Sequence, residues 1–322
     1  MKNMAALNGS SNGSVNGSTK HATGAPADGP TDAYKLPRDA RESQRLDAQH
    51  GALRTNVGFL LHHCIVDALP KVGPIKIADL GTGTGAWLLE LAEEMEDARI
   101  TYTGLDISDV QFPAAPPSGV SFKTYDMLSP VPAQFLSAFD VVHVRFLVLG
   151  LPSGTWPQAL ANLTSMLKPG GWIQWMEPDF RNIIPLPLST PLTTSTCTLL
   201  QTARTTILSL VAHGTQHHNL AFHDSESLAS HFAAADLKDV TETAFASDRV
   251  PETRLAISRV FEGGITGLQR MICAGDAEEQ RGRWGDEGKG RKELNEVGEA
   301  CERGEAYWRL ELNVFTGRKR GA

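Results

Sequence analysis

Asp79 stands two residues before Gly81, and Gly81, Gly83 and Gly85 alternate with Thr82 and Thr84. About twenty residues on, Tyr102-Thr103-Gly104-Leu105-Asp106 closes a second apolar run with another carboxylate. An acid, a glycine turn and a second acid at this spacing suit a nucleotide-like cofactor. The glycines let backbone approach the ligand, and Asp106 can accept from both hydroxyls of a ribose. Asp126 can accept from an adenine amino group, and Met127 can pack on the ring face. Arg145, ending a fourth apolar run, can hold a carboxylate. Glu177 and Asp179 close a fifth run, and ligands sit beyond the carboxyl ends of parallel strands. His213, His217, His218 and His223 cluster in one later segment. Their spacing is not a metal pattern, so no metal is expected. Candidate proton acceptors are His213, His217 and Glu177, whereas His143, inside an apolar run, reads as a satisfied core histidine.

Two cofactors compete for the turn. Gly81, Gly83 and Ala86 fit the dinucleotide fingerprint, with Asp106 at a suitable distance for the ribose of NAD. Asp79 would repel a pyrophosphate and welcome a methionine ammonium, and Gly85 leaves room for the bulk of an amino acid. Those two features favour S-adenosylmethionine.

The elements that position these residues follow from periodicity. Leu88, Leu91, Ala92 and Met95 share one face of a helix over Ala86 to Met95. Val120 to Met127, Phe139 to Phe146 and Trp172 to Glu177 read as further strands, the fourth apolar enough for burial in a parallel sheet. Trp156, Ala159, Leu160, Leu163, Met166 and Leu167 make a helical stripe, stopped by the turn Lys168-Pro169-Gly170-Gly171.

From Asp79 to Gly85, then Asp106, Asp126-Met127 and Leu167 to Gly171, the chain resembles the class I S-adenosylmethionine-dependent methyltransferases over roughly residues 72 to 180. The resemblance implies an α/β fold, a doubly wound and mostly parallel seven-stranded sheet with an N-terminal helical lid. It also implies that Asp79, Gly81, Thr82, Gly83, Gly85, Asp106, Asp126 and Met127 hold the cofactor, and Arg145, by its place at the end of the fourth strand, is expected to hold the methionine carboxylate or a substrate acid. More narrowly, Tyr34-Lys35-Leu36-Pro37-Arg38-Asp39, Glu42, Arg45-Leu46-Asp47, Gln49-His50 and Leu53-Arg54 resemble fungal methyltransferases that tailor secondary metabolites. Methyl transfer to a hydroxyl or nitrogen of a small molecule is the implied function. Some relatives of that fold regulate metabolite gene clusters through protein partners, which keeps a second reading open. An NAD-dependent oxidoreductase is a third.

The remaining expectations are broader. Residues 1 to 31 are rich in Gly, Ser, Asn and Ala, and a disordered tail is expected. Residues 32 to 71 form the helical lid, and 72 to 322 the cofactor-binding domain with a cap insertion near 186 to 225. Further helices are expected over Leu186 to His213, Glu226 to Leu237 and Leu255 to Ile272. Strands are expected over Val240 to Ala246 and Tyr307 to Phe315, where Trp308, Leu310, Leu312 and Val314 alternate with polar residues. Gly275 to Gly304 is dense in Glu, Arg and Gly and reads as a mobile surface loop with one short helix. The formal charge of −7 and pI near 5.8 argue against nucleic acid or an anionic membrane as partner. Four cysteines without C-x-x-C spacing, and no apolar leader, fit a reducing cytoplasm.

Overall fold

The computed structural model describes residues 38–188, 194–222, 224–235, 237–275, 282–285 and 288–321. The expected tail over residues 1 to 31, and His223, lie outside the described residues. Seven strands form one sheet in the order β3-β2-β1-β4-β5-β7-β6. They are β1 (Ile75–Leu80), β2 (Ile100–Asp106), β3 (Val120–Thr124), β4 (Phe139–Arg145), β5 (Leu167–Pro187), β6 (Leu237–Ala246) and β7 (Ala306–Lys319). All ladders from β3 through β5 are parallel, and β7 runs antiparallel between β5 and β6. This is the doubly wound, mostly parallel sheet expected, with its order reversing at β1 and β4.

Helix α1 (Ala40–Val57) begins where Asp39 accepts from the Glu42 amide at 2.9 Å and stops at Gly58, whose φ is +91°. The helical lid expected over residues 32 to 71 is therefore broken here, and α2 (His63–Ala68) is a short separate helix. Helices α3 (Ala86–Met95) and α4 (Trp156–Met166) cover opposite faces of the sheet. Beyond β5 come α5 (Thr194–His218), α6 (Asp224–Ala234) and α7 (Arg254–Gly275).

Two expectations are corrected. Lys168 to Gly171 does not separate helix from strand, because β5 already begins at Leu167. The stretch is instead an irregularity in the β4–β5 ladder, between the pairs Phe139–Leu167 and Val141–Trp172. The segment Gly275 to Gly304 is not mainly a loop, since Lys289–Glu302 forms a fourteen-residue helix, α8. Leu294, Val297 and Cys301 share one buried stripe of α8 and join the cluster that contains α5 and α7 residues.

Side chains alternate across the sheet, and the two faces differ. On one, the cross-strand partners Asp79, His143, Gln174 and Thr316 make a buried polar row. On the other, the next residues Leu80, Val144, Trp175 and Phe315 are all apolar and fully buried. Gln174 donates to the Leu60 carbonyl at 2.8 Å and accepts from the His62 amide at 2.7 Å, which pins the link between α1 and α2 to the sheet.

Candidate functional site

The turn after β1 folds as its glycines require. Gly81, Gly83 and Gly85 have φ of +67°, +54° and +77°, where L side chains are strained. The Gly81 and Thr82 amides donate to the Leu105 carbonyl at 2.8 and 3.1 Å, closing the turn on β2. A Cβ on Gly81 would lie 2.8 Å from Leu147 Cδ2, and one on Gly83 would lie 3.3 Å from Leu46 Cδ1. The neighbour of Gly85 is protein: a Cβ there would meet the Phe122 ring at 2.6 Å, as would one on Gly104 at 2.4 Å. Gly85 thus makes room for Phe122 rather than for the bulk of a ligand.

Asp106 accepts from the Gly83 amide at 3.0 Å and from the Ser108 amide at 3.1 Å, one bond to each oxygen. Each oxygen keeps a further lone pair, enough for two ribose hydroxyls. Burial raises the Asp106 pKa, and the two amides pull it back. Asp79 is buried, accepting from His143 Nδ1 at 2.7 Å and from the Thr82 hydroxyl at 2.7 Å. His143 lies stacked on Trp87 with centroids 3.6 Å apart. Burial holds its pKa below the usual histidine value against the pull of Asp79, so the ring is neutral with its proton on Nδ1. His143 is therefore a satisfied core histidine, and its partner is the acid of the cofactor turn.

Arg145, half-buried at the end of β4, donates to His50 Nδ1 at 3.1 Å. Among the described residues it has no carboxylate at ion-pair distance. His50 in turn donates from Nε2 to Glu90. Burial, then the charge of Arg145, depresses its pKa, consistent with a neutral bridge between cation and anion. Thr84 donates to Asp47 at 2.7 Å, and Arg54 donates to Glu90 at 3.2 Å and to Glu94 at 2.6 Å. Three polar residues of α1, at steps of three and four, thus fasten that helix over the turn and α3. Sequence reading names these residues only for a family resemblance and misses their anchoring role, although the spacing of Asp47, His50 and Arg54 marks a polar stripe. A small cavity beneath α1 is bounded by Leu53, Phe59, Trp87, His143, Arg145 and Met176.

The other expected site residues are distributed differently. Asp126 accepts from the Leu128 amide at 2.9 Å and the Ser129 hydroxyl at 3.0 Å, closing its own turn. Met127 is buried in the cluster that includes α4, and the exposed apolar side chain beside Asp106 is Ile107, 37% exposed. Glu177, 1% exposed, accepts from the Leu147 amide and Trp175 Nε1, each at 2.7 Å, and from the Val148 amide at 3.3 Å. It shares the face of Trp175, opposite Asp79 and Arg145. Asp179 accepts from Arg181 and Asn182. His213 and His217 face each other at 4.5 Å on α5, with His218 at 5.7 Å and Trp284 at 6.4 Å from His213. These histidines and Glu177 therefore sit in two separate settings.

The methyltransferase-domain family matches residues 54–242, more than half of the sequence. The chain belongs to that family. It is 40% identical over 152 residues to the methyltransferase grgD of Penicillium sp, covering 45% of this chain and 52% of that one. It is 36% identical over 149 residues to the N-methyltransferase sirN of Leptosphaeria maculans, covering 46% and 50%. It is 35% identical over 154 residues to the secondary metabolism regulator laeA of Fusarium oxysporum f. sp. lycopersici, covering 46% and 45%. The chain thus spans about half the length of the curated relatives it matches. For a methyltransferase, S-adenosylmethionine is the cofactor that these residues fit: glycines at φ values that strain any L side chain, spare acceptor capacity on Asp106, and opposite charges on Asp79 and Arg145. No helix among the described residues is long and apolar enough to cross a membrane.

Proposed function

We propose that this protein transfers a methyl group from S-adenosylmethionine to a hydroxyl or nitrogen of a small-molecule secondary metabolite. The observation that carries the reading is the charge layout at the turn. Asp79 lies one residue before the end of β1, and Arg145 ends β4 with no carboxylate at ion-pair distance among the described residues, so a methionine zwitterion finds one partner for each of its charges. A dinucleotide pyrophosphate would instead meet Asp79. Bound there, the cofactor supplies an already activated sulfonium methyl. Asp106 takes the ribose hydroxyls, Ile107 the ring face and Asp126 the adenine amino group. The protein's task is then alignment and exclusion of water, worth effective molarities of about 10⁵–10⁸ M. α1 acts as the lid, with Leu46 against Gly83 and Asp47 on Thr84. A proton leaving the acceptor is assigned to His213 or His217, a contribution of about 10²–10⁴-fold.

The likeness to laeA supports a second reading, a methyltransferase-fold regulator acting through protein partners. The deciding experiment offers purified protein and methyl-labelled S-adenosylmethionine to a size-fractionated extract. Label in small molecules, with the acceptor named by mass spectrometry, supports the tailoring enzyme. Label confined to protein, or cofactor binding without transfer, supports the regulator. A thermal shift with NAD and none with S-adenosylmethionine overturns both.

A further inference from the structure

We propose that Glu177 is a positioning residue for the cofactor: through the amides of Leu147 and Val148 it sets the loop after β4, and Leu147 of that loop forms the wall against Gly81. The inference rests on the S-adenosylmethionine reading above and gives a role to a buried acid which that reading leaves without one.

Three fixed donors converge on this one carboxyl, from Leu147, Val148 and Trp175. A group with both oxygens occupied, on the sheet face opposite Asp79 and Arg145, has no direct access to the cofactor's charged end. Its influence runs through the backbone it holds. Phe146 carries a φ of +56°, a region that a bulky side chain enters only when its surroundings hold it there. On one side of the kink, the Phe146 amide donates to the Met176 carbonyl at 2.9 Å. On the other, Glu177 takes the next two amides, and the Leu147 carbonyl accepts from Gly150 and Leu151 at 2.8 and 2.9 Å. Leu147 is thereby fixed at its amide and its carbonyl, and its Cδ2 occupies the place a Cβ on Gly81 would need. The neighbouring Phe146 and Leu149 pack against the cluster formed by α5, α7 and α8. One loop therefore touches the cofactor turn with one side chain and the apolar cap with its neighbours. Glu177 fixes the register between them.

The test measures S-adenosylhomocysteine binding by calorimetry on the full chain, with hydrogen exchange at the Leu147 and Val148 amides. Glu177→Ala is expected to weaken binding at least tenfold and to speed exchange at both amides. Glu177→Gln, which keeps an acceptor oxygen, is expected to stay within threefold of wild type. A purely structural role would lower the melting temperature of both variants without changing the affinity of the folded fraction. A folded Glu177→Ala variant that binds within threefold of wild type overturns the proposal, as does a Glu177→Gln variant as weak as the alanine. Should Glu177→Ala fail to fold, Leu147→Ala tests the wall alone: a threefold or greater loss with unchanged amide protection is expected, and unchanged affinity overturns the role. A wild type that binds neither S-adenosylmethionine nor S-adenosylhomocysteine overturns the cofactor reading itself, and this inference with it.

Discussion

The two faces of the sheet do different work with the same strands. On the face toward α2 and α3, Asp79, His143, Gln174 and Thr316 form a polar row, and each holds a neighbour in place: the turn, the indole of Trp87, the link before α2, and Thr241 of the edge strand. On the face toward α4 and α6, Leu80, Val144, Trp175 and Phe315 pack with Leu160, Leu163 and Phe232 in a cluster whose core is apolar apart from tips such as the Trp175 indole N–H. Burying polar groups costs free energy unless every one is paired, so a polar row is retained where direction matters more than bulk. The apolar face supplies cohesion, and the polar face aims the site.

That contrast can be broken from either side. The largest effect is expected on the apolar face. Leu163→Ala, at a fully buried position of α4, should cost about 2–5 kcal/mol of unfolding free energy in urea. S-adenosylhomocysteine affinity should stay within about twofold of wild type. On the polar face, Gln174→Leu strands the His62 amide, at about 1–3 kcal/mol, and leaves the Leu60 carbonyl only its longer bond from Trp87 Nε1 at 3.3 Å. Unlike Leu163→Ala it should also weaken cofactor binding, because the segment that leads out of α1 comes loose. Loss of binding in the α4 variant, or unchanged binding in the Gln174 variant, would erase the distinction between the faces. Asp106→Ala is expected to cost affinity rather than stability. Losing hydrogen bonds to a charged acceptor, at about 1.5–3 kcal/mol, corresponds to a Kd roughly 10- to 100-fold weaker by calorimetry.

The smallest effect is a slope with pH. Burial raises the Glu177 pKa from 4.5 to about 8 and that of Glu262 to about 7, so the folded protein keeps protons that the unfolded chain has lost. Their contribution is present at low pH and is lost as pH rises through 7 and 8. His50, His62 and His143 have depressed values, so their penalty to folding enters as pH falls below about 6.5. Melting temperature should therefore decline from about pH 6.5 to 8, and Glu177→Gln should flatten that limb. An unchanged limb in the variant would assign it to other groups.

Much of the site-bearing half was legible because its signals are local. Glycines at forced backbone angles, acids at strand ends and apolar runs located β1, the turn, α3, β2 and β4, and the alternation of Trp308, Leu310, Leu312 and Val314 located β7. What escaped depends on pairing. Glu177 reads as a site acid by its place at a strand's end, but strand parity puts it with Trp175, away from Arg145. Gly85 reads as ligand space, and only the β2–β3 ladder brings Phe122 across it. In α8 five residues in fourteen are buried, hidden among charges that face outward. The anchoring of α1 by Asp47, His50 and Arg54 needs partners 36 to 40 residues away, which helical spacing does not name.

Asn56, near the end of α1, donates to the Ser247 carbonyl and to Thr253, 191 and 197 residues further along, and Arg249 returns a bond to the Asn56 carbonyl. The helix that lies over the glycine turn is thus made long before the residues that anchor its far end exist. At ribosomal rates of about 5–20 residues per second, that interval is roughly 10–40 s. The bonds of α1 to Thr84, Glu90 and Glu94 can form once α3 has been made, while the far end of the helix waits for the second half of the chain. The last turn of α1 therefore gains its anchors at Ser247, Arg249 and Thr253 only after β6 has been made.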